Sequence, residues 1–144
     1  MTMSEAIVPS EALAELVPDL DGFASYRLTK PPDGATPPWI ITTVANTGRD
    51  LSSAMLIASR VAEMEVRLVG LTDMQTDIAA MRLTDYITGG TPHADGFVFG
   101  SFMLYSDSGT YEAASTESPQ VSPITGQQYS VRVLKWKVVW NRHG

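Results

Sequence analysis

Apolar and polar residues alternate most cleanly in the middle of the chain. Met64, Val66 and Leu68 fall on one side of an extended segment, and Glu63, Glu65 and Arg67 on the other. Period-two alternation marks a strand with one buried and one wet face. It predicts a strand within Ala54 to Val69, with a weak point near Ser59-Arg60 and an end at Gly70. Trp39 to Val44 is a β-branched run and predicts another strand, which Asn46 to Asp50 breaks. Phe23 to Leu28 reads as an earlier strand. A stiff loop from Lys30 to Pro38 follows, because each proline fixes φ and restricts the residue before it.

Helical patterns occur twice. Pro9 to Pro18 predicts a short helix, with Ser10 as its cap, acids near the positive end of its dipole and Pro18 as its stop. The main helix spans about 72–89. Thr72-Asp73-Met74-Gln75 is a capping box, and Gly89-Gly90 with Pro92 end the helix. It carries two apolar stripes. Leu71, Met74, Ile78 and Met81 form one; Ala79, Leu83, Tyr86 and Ile87 form the other, on roughly the opposite side. A surface helix needs one stripe to bury itself. The second fits either a helix sunk in its own core or a contact with another subunit.

The last third returns to strand. Phe97 to Ser106 is a strand weakened at Gly100, Ser106 to Gly109 is a tight turn, and Tyr111 to Ala114 extends the pairing. Ser115 to Gly126 is loop by composition, so 111–127 is expected to be a flexible region. The chain closes on a long β run, Gln128 to Asn141. Tyr129, Val131 and Val133 share one face, while Leu134, Trp136, Val138 and Trp140 take the other. That change of side predicts a bulge, a bend, or different partners for the two halves. The expected fold class is α+β: a mostly antiparallel sheet with the 72–89 helix packed on it and a short amino-terminal helix. One domain covers 1–144, with an acidic helix and linker at 1–22 and a core at 23–141.

Composition adds exclusions. There are 144 residues and no cysteine, which removes disulfides, thiolate metal sites and cysteine nucleophiles. The start lacks the basic and apolar regions of a signal peptide, and no apolar run approaches the roughly 20 residues of a spanning helix. A soluble, intracellular chain that contacts no membrane is expected. The formal net charge of −6 is unevenly spread. Met1 to Tyr26 holds five acids and no base, whereas Gln128 to Gly144 holds four bases and no acid. Opposed ends can lie side by side, or one copy's basic end can meet its neighbour's acidic end. On the second reading the subunit-interface candidates are Arg132, Lys135, Lys137, Trp136 and Trp140 at the basic end and Glu11, Glu15 and Asp19 at the acidic end. Leu83, Tyr86 and Ile87 supply the helix's outward contact.

Candidate chemistry is sparse. His93 and His143 have no second ligand at a metal spacing, and no phosphate-cradling glycine loop or nucleophile elbow occurs. No cofactor and no enzymatic activity are expected. Nucleic-acid binding has some appeal, since bases and aromatics interleave in the last strand. Parity opposes it, because Trp136 and Trp140 share a face that Lys135 and Lys137 do not.

The order of parts carries more than any motif. The stretch Pro37 to Val44, the strand-to-helix unit Val61 to Gly89 and the end strand Tyr129 to Trp140 resemble the tail terminator, or tail-completion, proteins of long-tailed bacteriophages, especially those of actinobacterial hosts. The resemblance runs from Tyr26 to Trp140. It implies a virion structural protein at the head–tail junction, assembled in the host cytoplasm as a six-fold ring on the last layer of the tail tube. Such a ring stops tube growth and meets head-completion or stopper proteins, with DNA only passing through its lumen. Two alternatives stand beside it: another neck component, such as a head–tail stopper or a tube-like subunit, and a small ligand-binding or catalytic α+β domain using His93 and Asp95.

Overall fold

The computed structural model describes residues 10–27, 34–51, 57–113 and 129–142. The Lys30 to Asp33 part of the proline-rich loop, the apolar run Ala54 to Leu56, the Ser115 to Gly126 loop and His143 lie outside the described residues.

The described elements are a helical turn at 10–14 (α1), β1 (Ala24–Tyr26), β2 (Trp39–Leu51), β3 (Ile57–Gly70), α2 (Asp73–Ile87), β4 (Phe97–Phe99), β5 (Met103–Asp107), β6 (Tyr111–Glu112) and β7 (Ser130–Arg142). All seven strands form one sheet, ordered β1-β2-β3-β7-β4, with β5 and β6 also on β7. The β1–β2 pair is parallel and the other pairs are antiparallel. The class is α+β, predominantly β.

β7 is the spine of the sheet. One edge runs along β3, from Arg60↔Trp140 to Gly70↔Ser130. The other meets β4, β5 and β6 in turn, so residues 97–112 act as a single edge strand interrupted twice. Gly100 marks the first interruption, as expected, and its N–H still donates to Val139 O at 2.8 Å. At the second, Gly109 takes a φ of 71° and its N–H donates to Asp107 Oδ1 at 3.0 Å. This turn does not reverse the chain; Tyr111 and Glu112 continue along β7. Residues 111–113 are therefore part of the sheet, and Ala113 is buried.

One expectation about strands is corrected and another is met. Asn46 to Asp50 does not end β2; the strand reaches Leu51, absorbing the irregularity as register shifts between Asn46 and Gly48 and between Asp50 and Leu51. Of the alternatives expected for the change of apolar side along β7, different surroundings for its two halves is the one observed; β7 pairs with β3 in unbroken register, while its other edge changes partner and carries a register shift between Leu104 and Ser106. The change arises because the sheet has a core on each face. Leu134, Trp136, Val138 and Trp140 enter the main core beneath α2, with Met64, Val66, Leu68, Ala79, Leu83 and Ile87. Tyr129 and Val131 enter a smaller core on the opposite face with Trp39, Ile41, Val69 and Ala113.

α2 is seated by its ends. Gln75 N–H donates to the Thr72 hydroxyl at 3.1 Å, while the Gln75 side chain accepts from Leu71 N–H at 2.7 Å, one residue beyond the usual box. Gly70 lies so close to the first turn that a Cβ there would overlap Thr76 Oγ1. At the other end Gly89 takes a φ of 83°, and residues 89 and 90 exchange backbone hydrogen bonds with Phe102 at 2.9 and 2.8 Å. The helix terminus is thus pinned to the edge strand. In the amino-terminal segment Ser10 is already helical rather than a cap. Ala12 and Leu13 are buried in the main core, and Leu16, Val17 and Leu20 pack against it, so this segment is core rather than linker.

Candidate functional site

The basic end strand does not behave as one patch. By strand parity Arg132 shares the helix-side face with Leu134 and Trp136. Its Nε and Nη2 donate to Asp107 Oδ1 and Oδ2 at 2.9 and 2.7 Å, and its Nη1 to Asp77 Oδ1 at 3.1 Å. Thr110 Oγ1 also donates to Asp77, and Ser130 Oγ to Asp73. This cluster ties α2, the 107–110 turn and β7 together. The Arg132 guanidinium holds the Asp107 carboxyl below its usual pKa, partly opposed by burial, and the same hydrogen bond raises the Arg132 pKa. Arg132 is therefore held by two carboxylates of its own subunit, with 24% of its side chain exposed.

Lys135 and Lys137 project from the sheet face opposite α2, at its bare end beyond the smaller core. Lys135 Nζ lies 3.7 Å from Glu65 Oε1 on the adjacent strand. Lys137 Nζ stands 4.3 Å from the Tyr105 ring centroid. The two tryptophans are corrected as interface candidates. Trp136 is fully buried, with Nε1 donating to Thr88 Oγ1 at 3.0 Å. Trp140 is 6% exposed, packed edge-on against Phe97 and covered by Arg60.

The helix places its stripes the other way round. Leu83 and Ile87 are fully buried against the subunit's own sheet, so they are corrected too; Tyr86 is exposed. Ala79 and Ala80 lie on the buried side, where small side chains let the helix approach the sheet closely. The opposite stripe is left to solvent: Met74 is 73%, Ile78 40% and Met81 59% exposed. The bare face of the sheet carries a second exposed apolar group, Val98, Met103, Tyr105 and Val139. Sequence reading missed both surfaces. A signal for the first lay in Asp85, one turn beyond Met81 on the same stripe; for the second, in the odd-numbered parity that Val139 shares with Lys137.

Glu11, Glu15 and Asp19 are exposed. Glu11 lines a cleft of about 440 Å³ with Ser10, Ala14, Arg27, Thr42, Thr43 and Val44. α1 packs into the helix-side core, whereas Lys135 and Lys137 occupy the bare face. The acidic segment and these lysines are thus on opposite layers of one subunit. His93 and Asp95 are both exposed on the loop before β4.

No described helix is long and apolar enough to cross a membrane. No protein-family model and no curated protein sequence matches the chain. Among solved structures, a chain described as belonging to the virion of a native gene transfer agent particle shares the fold. The two align with a TM-score of 0.50 at 14% identity, over 90% of this chain and 84% of that one.

Proposed function

We propose that this protein is a virion structural protein, and within that class a tail terminator. Copies close into a six-fold ring on the last layer of a tail tube, stop its growth and present a surface to head-completion or stopper proteins. The observation that carries the reading is the fold shared with a gene transfer agent virion chain along 90% of this sequence. Exposed apolar side chains on both outer layers support it, because large apolar groups left to solvent mark surfaces that other proteins cover.

On this reading the role is assembly, and the small catalytic-domain alternative rests on His93 and Asp95. Both are exposed on the loop before β4. Six copies at −6 each carry about −36 in total, which favours a neutral to acidic lumen through which DNA slides without sticking. The engagement of Arg132 by Asp107 and Asp77 fits this, since it withdraws one cation from DNA.

A stopper or tube-like subunit is the second reading, favoured by the same shared fold. Deletion of the gene separates the two. Loss of a terminator gives overlong tails, or finished tails that do not join heads. Normal tail length with filled heads that leak DNA would favour a stopper instead.

A further inference from the structure

The two exposed apolar surfaces lie on opposite layers of the subunit and differ in charge. On α2, Met74, Ile78 and Met81 follow i, i+4, i+7 spacing and span about 10 Å of helix. Exposed Asp85 continues the same stripe, with Asp77 on its flank. On the sheet face opposite α2, Met103, Tyr105 and Val139 flank Lys137, whose register partners are Met103 on β5 and Glu63 on β3, and Val98 lies farther along, opposite Asn141. One surface is a narrow methionine-rich ridge that ends in Asp85, flanked by exposed Arg82 and by Asp77, which Arg132 already pairs. The other is a shallow apolar patch with an exposed cation at its centre.

We infer that these surfaces bind each other between copies: the α2 stripe of one subunit seats on the Val98–Met103–Tyr105–Val139 patch of the next, with Asp85 facing Lys137. The occupant is a second copy of this chain because both halves of a complementary pair are present on it. Charge favours this head-to-tail arrangement over a two-fold one. Ridge against patch brings Asp85 to Lys137, a pair of opposite sign that ridge against ridge lacks, while patch against patch would bring two Lys137 ammonium groups together. A contact between different surfaces leaves a free ridge at one end of the pair and a free patch at the other, so it propagates, into a ring where the rotation closes and into a filament where it does not. Methionine suits the ridge because its unbranched side chain adapts to an irregular surface. The inference rests on the assembly reading above and names the contact, which that reading leaves open.

Two variants test it, each blocking one surface: Met81→Glu on the ridge and Val139→Glu on the patch. Both sites are half exposed or more, so circular dichroism melts should match those of the parent protein. Sedimentation at millimolar chain concentration should give oligomers for the parent and monomers for each variant. A mixture of the two should give a dimer and nothing larger, since one intact ridge meets one intact patch. As a second arm, Asp85→Lys and Lys137→Glu should each weaken association several-fold, and their combination in one chain should restore it. A monomeric parent overturns the inference. So does unchanged association in either Glu variant, or a mixture that stays monomeric. Mass spectrometry of purified particles tests the virion reading separately: a protein present in particles whose association ignores Met81→Glu sinks this contact alone.

Discussion

Arg132→Met removes the guanidinium that joins β7, the 107–110 turn and α2. Methionine keeps much of the stem, so apolar packing changes little and the loss is mainly polar. Exposed ion pairs contribute about 0.2–1 kcal/mol, and bidentate charge-assisted geometry places a pair at the upper end of such ranges. With side-chain exposures of 24% for Arg132 and 32% for Asp107, water screens the pair only in part. We expect a loss of about 1 kcal/mol, or roughly 3 °C in melting temperature for a domain of this size. The pH dependence gives the sharper test. Asp107 has a folded pKa below its ordinary 3.8, chiefly because of the Arg132 hydrogen bond. A depressed carboxylate contributes stability above the unfolded value and loses it as pH falls through the folded one. The gap between parent and variant should therefore be full near neutrality, hold down to about pH 4, and narrow below 3.8. Thermal unfolding followed by circular dichroism at several pH values measures it. No gap at neutral pH, or one unchanged well below 3.8, would refute the assignment.

Three further outcomes follow from packing. Gly70→Ala should destabilise by about 1–3 kcal/mol in urea titration, because its Cβ overlaps Thr76 Oγ1 and lies 3.2 Å from Gln75 Oε1; adding Thr76→Ala should return part of the loss. Trp136→Phe should cost about 1–3 kcal/mol through lost volume and the lost Nε1 bond to Thr88, whereas Val139→Thr on the bare face should stay within about 0.5 kcal/mol. His93→Ala should leave both stability and particle yield unchanged; a collapse in yield with normal folding would revive the catalytic alternative.

Local patterns carried much of the fold. The Glu63 to Leu68 alternation assigns faces correctly across β3, and by register across β2 and β7 as well. Thr72 and Gly89 bracket α2, and Gly100 marks the break between β4 and β5. What escaped was set by tertiary context. Asn46 to Asp50 has turn composition, yet pairing with β3 carries the strand through it. The switch of apolar side at Val133-Leu134 is visible, but periodicity alone does not distinguish a bulge from a sheet with cores on both faces. The two stripes of α2 are similarly apolar. Their fates are decided by how closely Ala79 and Ala80 allow the helix to approach, and by the seat that Gly70 makes for Thr76. The interface candidates suffered most for the same reason. Trp136, Leu83 and Ile87 are the subunit's own core, and the acids that claim Arg132 lie 25 and 55 residues away along the chain.

Electron cryomicroscopy of purified particles from the source tests the central claim most directly. The account predicts that density matching this seven-stranded sheet with α2 on one face occurs as a single ring between head and tail tube, with the α2 ridge of each copy against the bare sheet face of the next. Particles complete at that junction without this fold, or the fold repeated along the whole tube, would contradict it.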